Sequence, residues 1–241
     1  MTHDKIKQAF NKAADSYDDY CHLQRQTGKK LVSLVKQHYV NSSRIIDLGC
    51  GSGLVTRELA EALNYVDFHA IDFADQLLMK AKKHLSPFKL TIYESDFDSL
   101  TEHHFDIIFS NLSIHWSTNL ALTLQKLSAS LSKDGILAFS IPLSGSLIEL
   151  QKFTIKSFMT ESATINLIHQ NKYTLLASQT EQIIFEFDTF LQALKSIKGV
   201  GANYTDRQTS GLSSHPLMKQ MIKSNEKVSL TYKIGYFIVR R

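Results

Sequence analysis

Apolar and polar residues alternate in blocks between positions 44 and 141, and the lengths of these blocks indicate strands followed by helices. The apolar segment 45–48 predicts a first strand, and the apolar spacing over 54–63 predicts a helix. The other elements that we expect here are strands over 65–71, 89–94, 106–110 and 136–141, and helices over 74–85 and 120–131. We also expect a turn at 133–135, before the last of these strands. Strands that alternate with helices are typical of a parallel sheet covered on both faces.

The chain changes character on either side of this region. Residues 5–40 have helical spacing with a break around 16–20, and strands are predicted over 182–187 and 227–239. About 40 residues separate these last two strands, although neighbouring antiparallel strands are usually joined by a tight turn. Helical patterns over 190–197 and 216–223 lie within that stretch. We therefore expect a functional insertion at the edge of the sheet.

The composition, with 43% hydrophobic and 21% charged residues among 241, excludes collagen-like and disordered classes. The formal net charge of +4 and the pI of about 8.9 are too weakly basic to argue for nucleic-acid binding. The two cysteines, Cys21 and Cys50, cannot form a disulfide framework. No apolar segment is long enough to span a membrane, and residues 1–10 do not resemble a signal peptide. We expect a cytoplasmic, soluble monomer.

A glycine-rich segment, DLGCGSG over 47–53, lies between the first predicted strand and the first predicted helix of the sheet region. Glycines allow a ligand to approach the backbone, and a helix N-terminus supplies free N–H groups. Asp72 follows Gly53 by nineteen residues, at the end of the second strand, where a carboxylate can bind both hydroxyls of a ribose. The dinucleotide fingerprint needs a glycine where Leu54 stands, so a pyrophosphate is the weaker interpretation.

Three carboxylates, those of Asp47, Asp72 and Asp96, lie at or just after the ends of predicted strands. Ligands of open α/β sheets bind at these ends. A glycine loop alone is also compatible with a tight turn that binds nothing. Three convergent carboxylates favour instead a cationic ligand that contains a ribose.

The sequence resembles the class I S-adenosylmethionine-dependent methyltransferases over residues 45–141. The segments that carry the resemblance are IIDLGCGSG (45–53), AIDFADQLL (70–78), ESDFDSL (94–100), FDIIFSNLSIHW (105–116) and LSKDGILAFSIP (131–142). The resemblance implies an α/β fold of Rossmann-like type: a mostly parallel seven-stranded sheet with helices on both faces and a helical insertion between the last two strands. It divides the single domain into an N-terminal helical lid (1–40), a core (41–187 and 228–241) and the insertion (188–227).

The same resemblance implies a set of residues that bind S-adenosylmethionine. They are Asp47, Gly49, Cys50, Gly51, Gly53, Asp72, Phe73, Asp96, Phe97 and Asn111. Asp47 would lie near the ammonium group, Asp72 on the ribose and Asp96 on the adenine amino group. Asn111 would lie beside the methyl donor.

The flanking segments resemble the malonyl-[acyl-carrier protein] O-methyltransferases of biotin synthesis. These segments are AFNKAA (9–14), SYD (16–18), LQ (23–24), FLQALKSIKGVGA (190–202) with Asn203 and Arg207, and LTYKIGYFIVRR (230–241). Two departures stand out, because the family often has Arg at Lys12 and a shorter Ile-Gly-Ala at 197–202. The resemblance implies methyl transfer to the free carboxylate of a malonyl thioester, which primes the synthesis of the biotin precursor.

This acceptor determines what catalytic groups are needed. Carboxyl groups ionise near pH 4, so the malonyl oxygen is already an anion at neutral pH and no essential base is expected. Tyr17, His115 and Trp116 are candidates to line the methyl-transfer pocket, and core packing is the alternative for the aromatic residues. No Cys/His spacing resembles a metal site, so no metal is expected.

Cationic side chains are expected to bind the substrate. Arg25 and Arg207 could each clamp a carboxylate, with a solvated surface arginine as the alternative. Residues 189–227 carry six Lys and Arg against two Asp and Glu, and Lys219 and Lys223 share a helix face. We expect this face to bind malonyl-acyl carrier protein, and the alternative is a solvated helix. No nucleic-acid or membrane partner is expected.

Other functions remain open from the sequence. The chain could act on another small carboxylic acid or acyl thioester, or it could be a non-catalytic regulator that binds S-adenosylmethionine. The sequence also leaves open whether the acyl group is carried by the carrier protein, by coenzyme A or by neither.

Overall fold

The computed structural model describes residues 3–39, 43–100, 104–153, 157–202, 216–223 and 226–241. These residues contain a seven-stranded sheet. Its strands are β1 (Ser43–Leu48), β2 (Tyr65–Asp72), β3 (Thr91–Glu94), β4 (Phe105–Asn111), β5 (Leu131–Pro142), β6 (Thr174–Phe187) and β7 (Val228–Arg240). The helices are α1 (His3–Ala13), α2 (Tyr17–Tyr20), α3 (His22–His38), α4 (Leu54–Ala62), α5 (Asp75–His84), α6 (Leu120–Ser130), α7 (Glu161–Gln170), α8 (Phe190–Gly199) and α9 (Pro216–Lys223).

The strand order is β3-β2-β1-β4-β5-β7-β6, and only β7 runs against its neighbours. Strands β1 to β5 are parallel to one another. The chain moves outward in one direction from β1 to β3 and in the other direction from β4, so a switch point lies between β1 and β4. Ligands of such sheets bind in the crevice at this point. The mostly parallel fold and the helical insertion before β7 are therefore confirmed.

Adjacent residues of the central strands point to opposite faces of the sheet, and both faces are apolar. Ile45 packs with Leu31 and Val35 of α3 on one face. Ile46, its neighbour, packs with Leu124 of α6 on the other. Because helices cover both faces, the central strands are continuously apolar rather than alternating.

Several element boundaries differ from the prediction. Strand β5 begins at Leu131, so the predicted turn at 133–135 is an irregularity inside the strand. Its pairing with β4 jumps from Phe105↔Leu131 to Ile107↔Ile136, and Asp134 has a positive φ of 65°. The predicted break at 16–20 contains the short helix α2 instead. Helix α7 was not predicted, and the Thr160 hydroxyl caps it by accepting from the Ala163 amide.

The N-terminal helices meet both α5 and the insertion. The Asn11 amide donates to Asp75 of α5, with 2.7 Å between nitrogen and oxygen. On the other side, the Ser16 hydroxyl donates to the main-chain oxygen of Gly199 at 3.1 Å. The Tyr20 ring packs so closely on Gly199 that a Cβ there would lie 2.4 Å from the ring. Residues from both ends of the chain therefore form one cover over the sheet edge.

Helix α9 packs apolar residues against the core. Met221 and Ile222 lie against the larger core cluster, and Lys223 is exposed. No helix within the described ranges is long and apolar enough to cross a membrane.

Candidate active site

The glycine loop turns sharply between β1 and α4. Gly49, Gly51 and Gly53 have φ values of 73°, 57° and 83°, a region that residues with a Cβ rarely adopt. The amides of Gly49 and Cys50 both donate to the Ile71 oxygen, at 2.8 and 2.9 Å. These bonds hold the loop against the end of β2.

Neighbouring residues approach the loop closely, so a Cβ on its glycines would be crowded at Gly51 and Gly53 and would clash at Gly49. A Cβ on Gly49 would lie 1.9 Å from the Ser113 hydroxyl oxygen. On Gly51 it would lie 3.1 Å from the Tyr17 hydroxyl oxygen, and on Gly53 it would meet Ala81 of α5 at 3.1 Å. The first two glycines therefore face the crevice, whereas the third packs against a helix.

Asp47 is buried at the end of β1, with 2% of its surface exposed. The Thr56 hydroxyl of α4 donates to its carboxylate at 2.6 Å. The pKa of Asp47 is raised to about 7, chiefly by burial and to a smaller extent by the nearby Asp72 carboxylate. Thr56 was missed by the sequence analysis, although its place one turn into the helix after the loop is a usable signal.

Asp72 ends β2 and accepts two backbone hydrogen bonds. The amides of Gly51 and Ala74 each donate to it at 2.8 Å. Burial raises the pKa of Asp72 to about 6, against the lowering effect of these two bonds. Two buried carboxylates side by side are costly unless a cation offsets them. The site therefore suits a positively charged ligand.

Asp96 and Phe97 follow β3, which pairs with β2. Asp96 caps the short 3₁₀ turn Phe97–Ser99 by accepting from the Asp98 amide at 2.9 Å. Phe97 is buried in the core cluster beneath. Asp96 lines neither of the two cavities that adjoin the glycine loop.

Two narrow cavities lie beside the glycine loop, beneath the N-terminal helices. Both are lined by Tyr17, Gln24, Gly49 and Asn111. The structure brings the following predicted residues to one or both cavities: Tyr17, Arg25, Asp47, Gly49, Cys50, Gly51, Asp72, Phe73, Asn111 and Trp116. Gly53, Phe97 and His115 line neither cavity.

Aromatic side chains form one wall of the second cavity. Phe10 meets Phe73 and Trp116 edge-on, with ring centres 5.9 and 5.7 Å apart. The His115 ring lies 5.0 Å from Trp116, tilted by 38°. Burial raises the pKa of the Tyr17 hydroxyl well above its usual value, which keeps it neutral. Phe10 was missed, because its helical spacing is equally typical of core packing.

Asn111, at the end of β4, connects the sheet to the N-terminal helices. Its side-chain nitrogen donates to the main-chain oxygen of Gln24 at 2.8 Å, and its oxygen accepts from the Ser140 hydroxyl at 2.8 Å. Gln24 was noted only as part of a flanking motif, and nothing in the sequence indicated this contact.

The structure describes only some of the cationic residues that are candidates for substrate binding. Arg25 is an exposed residue of α3 and lines the cavity that contains Asp47 and Asn111. Lys223 is exposed at the end of α9. Arg207 and the side chain of Lys219 lie outside the described residues. Within the described part of the chain, no group of three His, Cys, Asp or Glu residues could hold a metal ion.

Comparison with known proteins identifies the class. The chain matches the methyltransferase domain family over residues 40–194. The YcgJ protein from Bacillus subtilis has a similar structure, with a TM-score of 0.65, 13% identity, and coverage of 88% of this chain and 98% of that one. An S-adenosylmethionine-dependent methyltransferase from Mesorhizobium loti is also similar, with a TM-score of 0.55, 18% identity, and coverage of 87% and 96%. The protein is a class I S-adenosylmethionine-dependent methyltransferase.

Sequence relatives identify the family within this class to which the chain belongs. The malonyl-[acyl-carrier protein] O-methyltransferase 2 of Coxiella burnetii is 33% identical, covering 98% of this chain and 96% of that protein. The malonyl-[acyl-carrier protein] O-methyltransferase of Buchnera aphidicola is 31% identical, covering 90% and 88%. The chain belongs to the malonyl-[acyl-carrier protein] O-methyltransferase family.

The residues present fit S-adenosylmethionine as the cofactor. The ligand carries an ammonium group, a sulfonium and a ribose, and the crevice offers two buried carboxylates whose charge a cation would offset. The close contacts at Gly49 and Gly51 leave backbone, rather than side chains, facing the ligand.

Proposed function

We propose that this enzyme transfers a methyl group from S-adenosylmethionine to the free carboxylate of a malonyl thioester on acyl-carrier protein. The product is the malonyl methyl ester that primes the synthesis of the biotin precursor. The observation that carries the proposal is the length of the similarity, since the Coxiella burnetii relative matches 98% of the chain. The match thus includes the N-terminal helices and the insertion, as well as the domain at 40–194 that other methyltransferases share.

We assign the cofactor residues from the motif resemblance, and the position of several of them beside the glycine loop supports the assignment. Asp72 would hold the ribose hydroxyls and Asp47 would face the ammonium group. Asp96 and the Phe97 amide would bind the adenine, and Asn111 would lie beside the methyl donor. The proposal for Asp72 and Asp47 is supported by their burial next to the glycine loop.

The proposed reaction needs no general base. Bound S-adenosylmethionine supplies a methyl group on a positively charged sulfur, which an anionic oxygen accepts without losing a proton. The protein would contribute alignment of the reacting oxygen and exclusion of water. Tyr17 and Trp116 would form the walls of the pocket, while His115 would support Trp116 rather than move a proton.

Recognition of the substrate would fall to the cationic residues. Arg25 lies beside the cofactor cavity and is a candidate clamp for the malonyl carboxylate, together with Arg207. Lys219 and Lys223 of the insertion would attract the acidic carrier protein. The lid at 1–40, the core and the insertion at 188–227 remain our proposed division, and a cytoplasmic monomer remains our expectation.

A substrate panel tests the proposal. Methyl transfer from labelled S-adenosylmethionine is measured with malonyl-carrier protein, malonyl-coenzyme A, succinyl-carrier protein and free malonate. We expect the highest kcat/KM with malonyl-carrier protein. Faster methylation of free malonate would replace the proposal with a small-acid methyltransferase, and methylation of none would favour a binding regulator.

A further inference from the structure

A third cavity, larger than those beside the glycine loop, lies between the N-terminal helices, α8 and the two antiparallel strands. Its volume is about 240 Å³. Much of its wall is apolar, with contributions from Leu23, Phe185, Ile197 and Tyr232. None of the cofactor residues proposed above lines it. The cavity is therefore separate from the cofactor site.

The cavity has a polar outer rim. Asp19 and His22 of the N-terminal helices lie there with Gln192 and Lys195 of α8, and all four are exposed. Such a rim leaves the cavity accessible from solvent and places a lysine at its mouth.

The inner end of the cavity meets the cofactor cavities at Gln24, and Ala202 also lines both this cavity and the second of them. Gln24 lines this cavity and both of those beside the glycine loop. Its main-chain oxygen is fixed by Asn111. Its side-chain oxygen Oε1 is buried and has no hydrogen-bond partner among the residues that the structure describes. A buried acceptor without a donor is unfavourable, so a ligand N–H placed here would be stabilised.

We infer that this cavity binds the phosphopantetheine arm of the acyl substrate, an inference that rests on the proposed function. The arm is a narrow chain with an apolar dimethyl group, two amides and a terminal phosphate. The apolar walls suit the dimethyl group, and Lys195 at the rim suits the phosphate. Gln24 Oε1 accepts from the amide N–H nearest the thioester, which places the acyl group where the three cavities meet.

A substitution that fills the cavity tests the inference. Ser196 is a partly buried residue of α8 that lines the cavity, so Ser196→Phe obstructs it. Leu191 lies on the same helix, is 40% exposed and does not line the cavity, so Leu191→Phe is the matched control. Substrates are malonyl-pantetheine and the malonyl thioester of N-acetylcysteamine, which keeps only the first amide of the arm.

We expect Ser196→Phe to raise the KM for malonyl-pantetheine by about tenfold or more, a loss of about 1.4 kcal/mol of binding. The KM for the truncated thioester and the affinity for S-adenosylmethionine should change less than about threefold. Leu191→Phe should leave all of these values unchanged. An equal effect of Ser196→Phe on both thioesters, or no effect, would overturn the inference.

Carrier protein and coenzyme A present the same arm, so Ser196→Phe should raise the KM for both malonyl thioesters. An increase in KM that is confined to the carrier-protein substrate would contradict binding of the arm in this cavity. Gln24→Leu provides a second variant, for which we expect a higher KM with the truncated thioester, because its one amide loses its acceptor. An unchanged KM would remove Gln24 from the site.

Failure of the proposed function gives a different result. The wild-type enzyme would then methylate no malonyl thioester, whereas coenzyme A would still bind in calorimetric titrations and Ser196→Phe would still weaken that binding. If coenzyme A binds with equal affinity to the wild-type enzyme and to Ser196→Phe, the cavity does not bind the arm.

Discussion

The side-chain nitrogen of Asn111 donates a hydrogen bond to the main-chain oxygen of Gln24, 2.8 Å away. This bond joins the end of β4 to α3, across the crevice where the strand order reverses. Both residues line the two cavities beside the glycine loop. A ligand that enters there must contact the same residues that hold the N-terminal helices in place. Cofactor binding and the position of these helices are therefore coupled in our account.

Removal of the proposed ribose ligand should weaken cofactor binding. We expect Asp72→Ala to cost about 1.5–3 kcal/mol, the usual loss for a hydrogen bond to a charged group. Calorimetric titration of the folded variant with S-adenosylmethionine measures this. Asp67→Ala is the matched control, because Asp67 is a partly exposed carboxylate of the same strand that pairs with His69 and lines neither cavity beside the glycine loop. Equal affinities of the two variants would show that the ribose assignment is wrong.

A side chain at Gly51 should destabilise the fold, and the loss should be larger while Tyr17 keeps its hydroxyl. Gly51→Ala places a Cβ 3.1 Å from the Tyr17 oxygen and at a φ of 57°. The left-handed backbone alone costs about 1–2 kcal/mol, and the contact with Tyr17 adds to this. Urea unfolding measures the sum, and Tyr17→Phe in the same chain should recover the part due to the hydroxyl. If Tyr17→Phe recovers nothing, the two residues are not in contact.

Cofactor affinity should fall as the pH falls from about 7.5 to 5.5. Burial raises the pKa of Asp47 to about 7 and that of Asp72 to about 6, so both carboxyls bind protons in this range. A cationic ligand favours the charged carboxylates, and its binding must release those protons. Titrations in buffers of different ionisation enthalpy should show proton release near pH 6.5, a value between the two pKa values.

The same two carboxyls should make the stability of the cofactor-free protein depend on pH. A carboxyl whose folded-state pKa is raised binds more protons when folded than when unfolded, between about pH 4 and 7. These two groups therefore destabilise the cofactor-free protein progressively as the pH rises through that window. Saturating S-adenosylmethionine should oppose the loss. Affinity that is constant, or that rises at low pH, would contradict this account.

The sequence predicts the parallel sheet well because each central strand is a short apolar segment with a helical pattern after it. Helix α7 could not be predicted in the same way, since its apolar residues do not form a clear stripe. The predicted turn at 133–135 became part of β5 because strand pairing with β4 resumes beyond it. Local preference for a turn does not show whether pairing continues on either side.

The residues of the candidate site also differ in whether the sequence could predict them. Asp47, Asp72 and the glycines could be predicted because a motif at fixed spacing places them at strand ends. Phe10 and Gln24 could not, because their role depends on how α1 and α3 pack across the sheet. Such contacts arise from tertiary packing between distant segments, which the periodicity of one segment does not encode.

Charge reversal on the insertion should separate a docking face from a merely solvated helix. We expect Lys219→Glu with Lys223→Glu to raise the KM for malonyl-carrier protein by about tenfold or more at low salt, with little change for malonyl-pantetheine. The effect should shrink as salt is added, because exposed charges are screened. Reversal of Lys82 and Lys83, exposed residues on α5, is the matched control. Equal effects on both substrates would leave the insertion without a docking role.

The measurement that tests the central claim most directly is the intact mass of malonyl-carrier protein after a single turnover with S-adenosylmethionine. We predict a gain of one methylene unit on the acyl-pantetheine group, and alkali should release the transferred methyl group as methanol, as expected of a methyl ester. His115→Ala should form the same product, because the acceptor oxygen has no proton to lose. A methyl group on the carrier polypeptide or on the malonyl carbon, or an unchanged mass, would contradict the account.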